Sequence, residues 1–184
     1  VQTCALPISA LDAGADIIND ISALADPEMA EVVARAGCPI VLMHSRGRLD
    51  SMQTDIEFDN VVEDVTKELA DLVDRAASQG ISRRQIVIDP GIGFGKTAKQ
   101  NLQLLCHLDR LSHLGPPVLL GASRKSFIGE VVGADPEQRL PGSLAAAAWA
   151  AHHGAAIVRV HDVADTVQFL DVWSAIRDPG EPGE

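Results

Sequence analysis

Ile86-Val87-Ile88-Asp89-Pro90-Gly91-Ile92-Gly93-Phe94-Gly95-Lys96 runs three β-branched residues straight into a carboxylate, and then into a turn with three glycines. Consecutive Val and Ile predict a strand buried on both faces, the kind found in parallel sheets. Asp89 then falls at the strand's C-terminal end, where α/β folds bind their ligands. Glycine lets the backbone approach a ligand closely or adopt positive φ. A carboxylate at this place can accept two N–H donors from a flat heterocycle. It can equally cap the loop, with the glycines only making a tight turn. From this stretch alone both readings stand.

Outward from Asp89 the same unit repeats. Apolar runs at Ile17-Ile18, 39–43, 85–88, 118–120 and 156–160 alternate with helical periodicities. The best helix spans 60–77, where Val61, Val62, Val65, Leu69, Leu72, Val73 and Ala76 recur at three and four. Further helices are expected from Pro27 to a stop at Gly37, over 101–114, over 140–153 and over 163–176. Ala10 to Gly14 reads as a helix tail, and Pro7 is expected to interrupt any helix before it. Strand and helix in alternation predict α/β architecture with a parallel sheet. Five βα units fit either a five-stranded open sheet or part of a (β/α)₈ barrel, since a whole barrel takes about 250 residues and the chain has 184.

Each strand ends in polar residues: Asn19 and Asp20, His44, Asp89, Ser123-Arg124-Lys125, then Arg159 and His161. A parallel sheet brings all five ends to one rim, as a single site requires. Asn19 and Asp89 offer an amide and a carboxylate to a heterocyclic edge, and Lys125 can donate to a ring carbonyl or nitrogen. Arg159 has a planar guanidinium able to stack on a ring or grip a phosphate. With His161 and Ser123 it makes an anion-facing group. Taken singly, Asp20 also suits a helix cap, His44 a structural histidine, Arg124 and Lys125 a solvated corner, and Phe94 loop packing.

Bulk properties narrow the function classes. Fifteen basic against 26 acidic residues give a net charge of −11, which excludes a general nucleic-acid or anionic-membrane surface. No apolar run reaches the roughly 20 residues that span a bilayer. Cys4, Cys38 and Cys106 are too few and too scattered for a disulfide framework or a zinc site. A cytoplasmic protein with small-molecule ligands, and with no nucleic-acid or membrane partner, is expected.

The strand-end set Ile18-Asn19-Asp20, Leu42-Met43-His44, Asp89 to Lys96, Ser123-Arg124-Lys125-Ser126 and Arg159-Val160-His161-Asp162 resembles the dihydropteroate synthase family. The similarity covers residues 10–176. It implies a (β/α)₈ barrel whose strands four to eight are the five seen here. It also implies condensation of 6-hydroxymethyl-7,8-dihydropterin diphosphate with p-aminobenzoate, giving dihydropteroate and pyrophosphate with Mg²⁺. By that resemblance Asn19, Met43, Asp89, Lys125 and Arg159 bind the pterin, Arg159 and His161 the diphosphate, and Phe94 and Ser126 the p-aminobenzoate. Lys125, Arg159 and His161 are then the catalytic groups. The family's Mg²⁺-binding Asn belongs to a segment before residue 10, so no metal ligand is expected in this chain. Residues 1–9 are expected to be a non-native or truncated start, 10–177 the pterin-binding domain and 178–184 a loose tail. The chain is expected to be an incomplete piece with weak or no activity, and the full-length protein a homodimer built on late helices. Leu49 stands where that family commonly has Pro. The alternatives are a pterin-binding methyltetrahydrofolate methyltransferase domain and a non-enzymatic fragment.

Overall fold

Short β-branched runs become parallel strands in the computed structural model, which describes residues 5–46 and 57–180. The strands are β1 (Ile18–Asp20), β2 (Ile40–Met43), β3 (Ile86–Asp89), β4 (Val118–Leu120) and β5 (Ala155–Val158), hydrogen-bonded in the order β1-β2-β3-β4-β5. All four pairings are parallel. A doubly wound open sheet reverses its strand order at a switch point. This sheet never does, and each strand is laid beside its predecessor as in a barrel.

Alternation along the strands divides the side chains between two faces. Ile18, Ile40, Leu42, Ile86, Ile88, Val118 and Leu120 join the helices in one large core. Val41, Val87 and Leu119 form a separate small cluster. The register Asn19↔Val41↔Val87 puts Asn19 in the row of that second face. Each fully buried Ile or Leu of the large core stabilises the fold by about 1.5–3 kcal/mol.

α1 (Ala5–Asp12) precedes β1, and between strands lie α2 (Met29–Ala36), α3 (Val61–Ser78), α4 (Ala98–Cys106), α5 (Asp109–Ser112), α6 (Ser126–Val132) and α7 (Leu140–His152), with α8 (Val163–Arg177) after β5. All seven apolar residues expected on α3 are buried. Asn60 begins this helix by accepting the N–H groups of Val62 and Glu63 at 3.1 and 3.4 Å. Asn60→Ala should lower stability by about 1 kcal/mol. Urea unfolding measures this, and an unchanged midpoint would show the cap to be idle.

Several expectations need correction. Pro7 does not interrupt a helix: it lies in the first turn of α1, where its missing N–H has no intrahelical partner. α1 runs across residue 9 and packs on α2. The single helix expected over 101–114 is two. A capping box of Thr97 and Gln100 starts α4 early, and a turn at His107 sends Leu108 and Leu111 into the core. β5 stops at Val158, so Arg159 already belongs to the loop beyond it. α6 had no counterpart in the reading of the sequence. Gly47, Arg48 and Leu49, like Cys4 and the last four residues, lie outside the described residues.

Candidate active site

The rim at the strands' C-terminal ends is centred on Asp89. Its side chain is buried because β3 is covered on both sides, and Oδ1 accepts the Gly91 N–H at 2.7 Å. Among the described residues no donor reaches Oδ2, which remains able to accept from a ligand. Burial raises the Asp89 carboxyl above its ordinary pKa, opposed by the Gly91 hydrogen bond and by the charges of Lys96, Lys125 and Arg159. One carboxylate thus faces three cations. Met43 pairs with Asp89 in the β2–β3 register and is itself buried.

Lys125 precedes α6 at its N-cap position. Its stem lies along Gly93, where an added Cβ would come within 3.1 Å of Lys125 Cδ. Its ammonium sits 4.3 Å from the centroid of the Phe94 ring. Burial lowers the Lys125 pKa, with Asp89 opposing and Arg159 adding to the fall. Arg159 is anchored by its N–H to Leu120 O at 2.9 Å, and its guanidinium reaches over Gly121 at the end of β4. A Cβ on Gly121 would stand 3.8 Å from Arg159 Nη1, an ordinary contact, so the guanidinium lies close over this backbone without being crowded by it.

His161 meets Ser123 twice: its N–H donates to Ser123 Oγ at 3.2 Å, and its Nδ1 lies 3.0 Å from the same oxygen. Nε2 is then the ring atom able to meet an anion. The loops that carry Lys125 and His161 are tied together by a fork. Arg124 Nε donates to Asp162 Oδ2 at 3.0 Å, and Nη2 donates to Oδ1. Arg124 adopts a φ of 57°, and its N–H donates to Ser143 Oγ at 2.9 Å. The Asp162 pKa is lowered chiefly by its hydrogen bond from Arg124.

The structure therefore brings together Asp89, Lys125, Arg159 and Phe94, with Met43 beside Asp89 on the neighbouring strand and His161 on Ser123. It does not join Asn19 or Ser126 to them by direct contact among the described residues. Asn19 is exposed on β1, two strands from Asp89, roughly 10 Å by strand spacing. Ser126 is the exposed first residue of α6. Asp20 serves its own loop, accepting from Ser22 N, Ser22 Oγ and Leu24 N.

His44 is fully engaged, with Nε2 2.8 Å from Glu68 and Nδ1 3.0 Å from Lys96. Burial, aided by the Lys96 charge, lowers it to about 4. Two supporting residues have a role that the sequence did not suggest. Lys96 is buried under the glycine loop, and Asn101 of α4 accepts the Gly93 N–H at 2.9 Å while its amide donates to Lys96 O at 3.3 Å. The signal available for Asn101 was a polar residue on the apolar side of its helix.

A family model described as "Pterin binding enzyme" matches residues 5–161. The dihydropteroate synthase of Escherichia coli K12 is 42% identical over 162 residues, which are 88% of this chain and 57% of that relative. A probable bifunctional folylpolyglutamate synthase/dihydropteroate synthase of Haloferax volcanii is 45% identical over 178 residues, 97% of this chain and 21% of that protein. Most of the chain thus finds its counterpart in about half of the Escherichia coli enzyme's length. Among solved structures, Xanthomonas albilineans dihydropteroate synthase with 4-aminobenzoic acid superposes with a TM-score of 0.90 at 45% identity. That match covers 96% of this chain and 63% of the other. The same organism's enzyme in complex with 7,8-dihydropteroate gives 0.89 at 44% identity, over 97% and 65% of the two chains.

Proposed function

Because this chain belongs to the pterin-binding enzyme family, we propose that it supplies the pterin and diphosphate half of a dihydropteroate synthase site, its five strands being strands four to eight of a (β/α)₈ barrel. The observation that carries this reading is the Asp89 carboxylate, with one oxygen uncommitted, facing Lys125 and Arg159 beside the Phe94 ring. In the reaction a C–O bond to the leaving diphosphate breaks and a C–N bond to the aromatic amine forms. Pyrophosphate departs with the bonding electrons, and the amine gives up a proton.

Each side chain has a task in that scheme. Asp89 Oδ2 accepts the paired N–H groups of the pterin edge, and Lys125 donates to its carbonyl or ring nitrogen. Met43 lines the pterin's floor, and Asn19 approaches from β1. Arg159 stacks on the pterin and, with His161, draws the negative charge that builds on the leaving diphosphate. Fixed donors aimed at developing charge are the largest single source of catalysis in such reactions. Phe94 and Ser126 border the 4-aminobenzoate.

A Mg²⁺ is not fitted by these side chains. Among the described residues no group of three or more His, Cys, Asp or Glu stands together, and the diphosphate side is cationic. A Mg²⁺ would be carried by the substrate's diphosphate rather than by these side chains. A homodimer and a cytoplasmic location are parts of the same proposal. Among the described residues no helix is long and apolar enough to cross a membrane.

Calorimetry with 6-hydroxymethylpterin and with its dihydro diphosphate tests the reading. Arg159→Met should weaken the diphosphate by about tenfold or more, as loss of a charge-assisted hydrogen bond implies. The bare pterin should lose only about fivefold or less, from stacking alone. Equal weakening of the two ligands would remove Arg159 from the diphosphate.

A further inference from the structure

Lys96 is only 4% exposed, and the scheme above gives it no task. An ammonium has three protons and accepts nothing. Three acceptors lie nearest them, His44 Nδ1 at 3.0 Å, Gly91 O at 3.1 Å and Phe94 O at 3.0 Å, with His44 O further off at 3.5 Å. As the ammonium, Lys96 can only donate, and His44 Nδ1 then offers it a lone pair. The imidazole proton is then on Nε2, donated to Glu68 at 2.8 Å. Glu68 is also gripped by Arg46, whose Nε lies 3.1 Å from Oε1. Burial lowers Lys96 to about 7, with the Asp89 and Glu68 charges opposing. The three acceptors all favour the ammonium.

The two carbonyls nearest the Lys96 ammonium belong to one turn. Phe94 N–H donates to Gly91 O at 3.0 Å, so residues 91–94 close on themselves, and the ammonium clamps both ends. The Phe94 ring then stands at its fixed distance from Lys125. We propose that Lys96 is a positioning residue for the aromatic amine, its ammonium fixing the 91–94 turn and so the ring of Phe94. The inference rests on Phe94 being a wall of the 4-aminobenzoate site.

Lys96→Met in the full chain, checked for folding by circular dichroism, is titrated with 6-hydroxymethylpterin and then with 4-aminobenzoate at saturating pterin and pyrophosphate. A displaced ring should weaken 4-aminobenzoate by about tenfold or more, and by clearly more than pterin, which also loses some affinity because Lys96 and the Gly91 N–H both act on Asp89. Equal loss of both ligands, or loss of neither, overturns the proposal. A second measurement needs no variant. Nitrogen-15 NMR of the wild-type chain at a pH between about 4 and about 7, where His44 is neutral and Lys96 is still an ammonium, should find the His44 proton on Nε2. A proton on Nδ1 would overturn the clamp. Wild-type chain that binds pterin but not 4-aminobenzoate defeats this inference and spares the pterin reading. Wild-type chain that binds neither defeats both.

Discussion

Asp89→Ala is expected to weaken pterin binding by at least about 100-fold, because two hydrogen bonds to a charged acceptor contribute roughly 3–6 kcal/mol together. The carboxylate is buried at the end of β3 and already satisfied on one oxygen by Gly91. Its remaining capacity points at the rim, with Lys125 and Arg159 holding the charge in place. Asp89→Asn separates the effects. The amide oxygen can keep the Gly91 contact, but the amide nitrogen would oppose the pterin's N–H with another donor. The asparagine chain should therefore stay folded and still bind poorly. Calorimetry on both variants decides the matter, and undiminished pterin heat for a folded Asp89→Ala chain would remove Asp89 from the site.

Gly91→Ala should be the most damaging single methyl group in the loop. Gly91 has a φ of 67°, a conformation that costs an L-residue about 1–2 kcal/mol. The added Cβ would also overlap the backbone carbonyl oxygen of His44, which is not a flexible side chain that can turn away. Resolving the overlap requires β2 and the glycine loop to part, at a further cost of about 1–3 kcal/mol. The same movement would pull Gly91 N–H off Asp89 and Gly91 O off Lys96. Stability should fall by roughly 2–5 kcal/mol in total, with pterin binding lost alongside. Thermal unfolding near the wild-type temperature would show that the loop can give way cheaply. Gly133→Ala is the control: its φ is 68°, but nothing lies within 4 Å of an added Cβ, so it isolates the conformational cost.

Much of this architecture was legible because buried parallel strands are nearly pure Val, Ile and Leu. Residues 86–88 and 118–120 announce themselves, and the polar residue after each run marks the rim. α3 was equally plain, since its buried residues keep strict helical spacing over 18 positions. The short helices were not. α6 has seven residues, opens after a cluster of polar strand-end residues and carries Gly129 within it, so its periodicity is too brief to register. α4 and α5 shared one apolar pattern, and the turn between them is set by where Leu108 and Leu111 pack rather than by a breaker. For the site, the charged strand ends could be named but not their division of labour. Lys96 looks like an ordinary loop lysine in sequence. Only the three acceptors converging on its ammonium distinguish it from a solvated one.

The separation of Val41, Val87 and Leu119 from the large core has a consequence for the barrel proposed above. The helix-covered face is closed by this chain's own helices, whereas the opposite face of a barrel is filled in layers by side chains from all of its strands. Val41, Val87 and Leu119 would then be shared property: a larger or smaller side chain at any of them would be felt by every strand that meets in that interior, and through it by the polar residues at the rim.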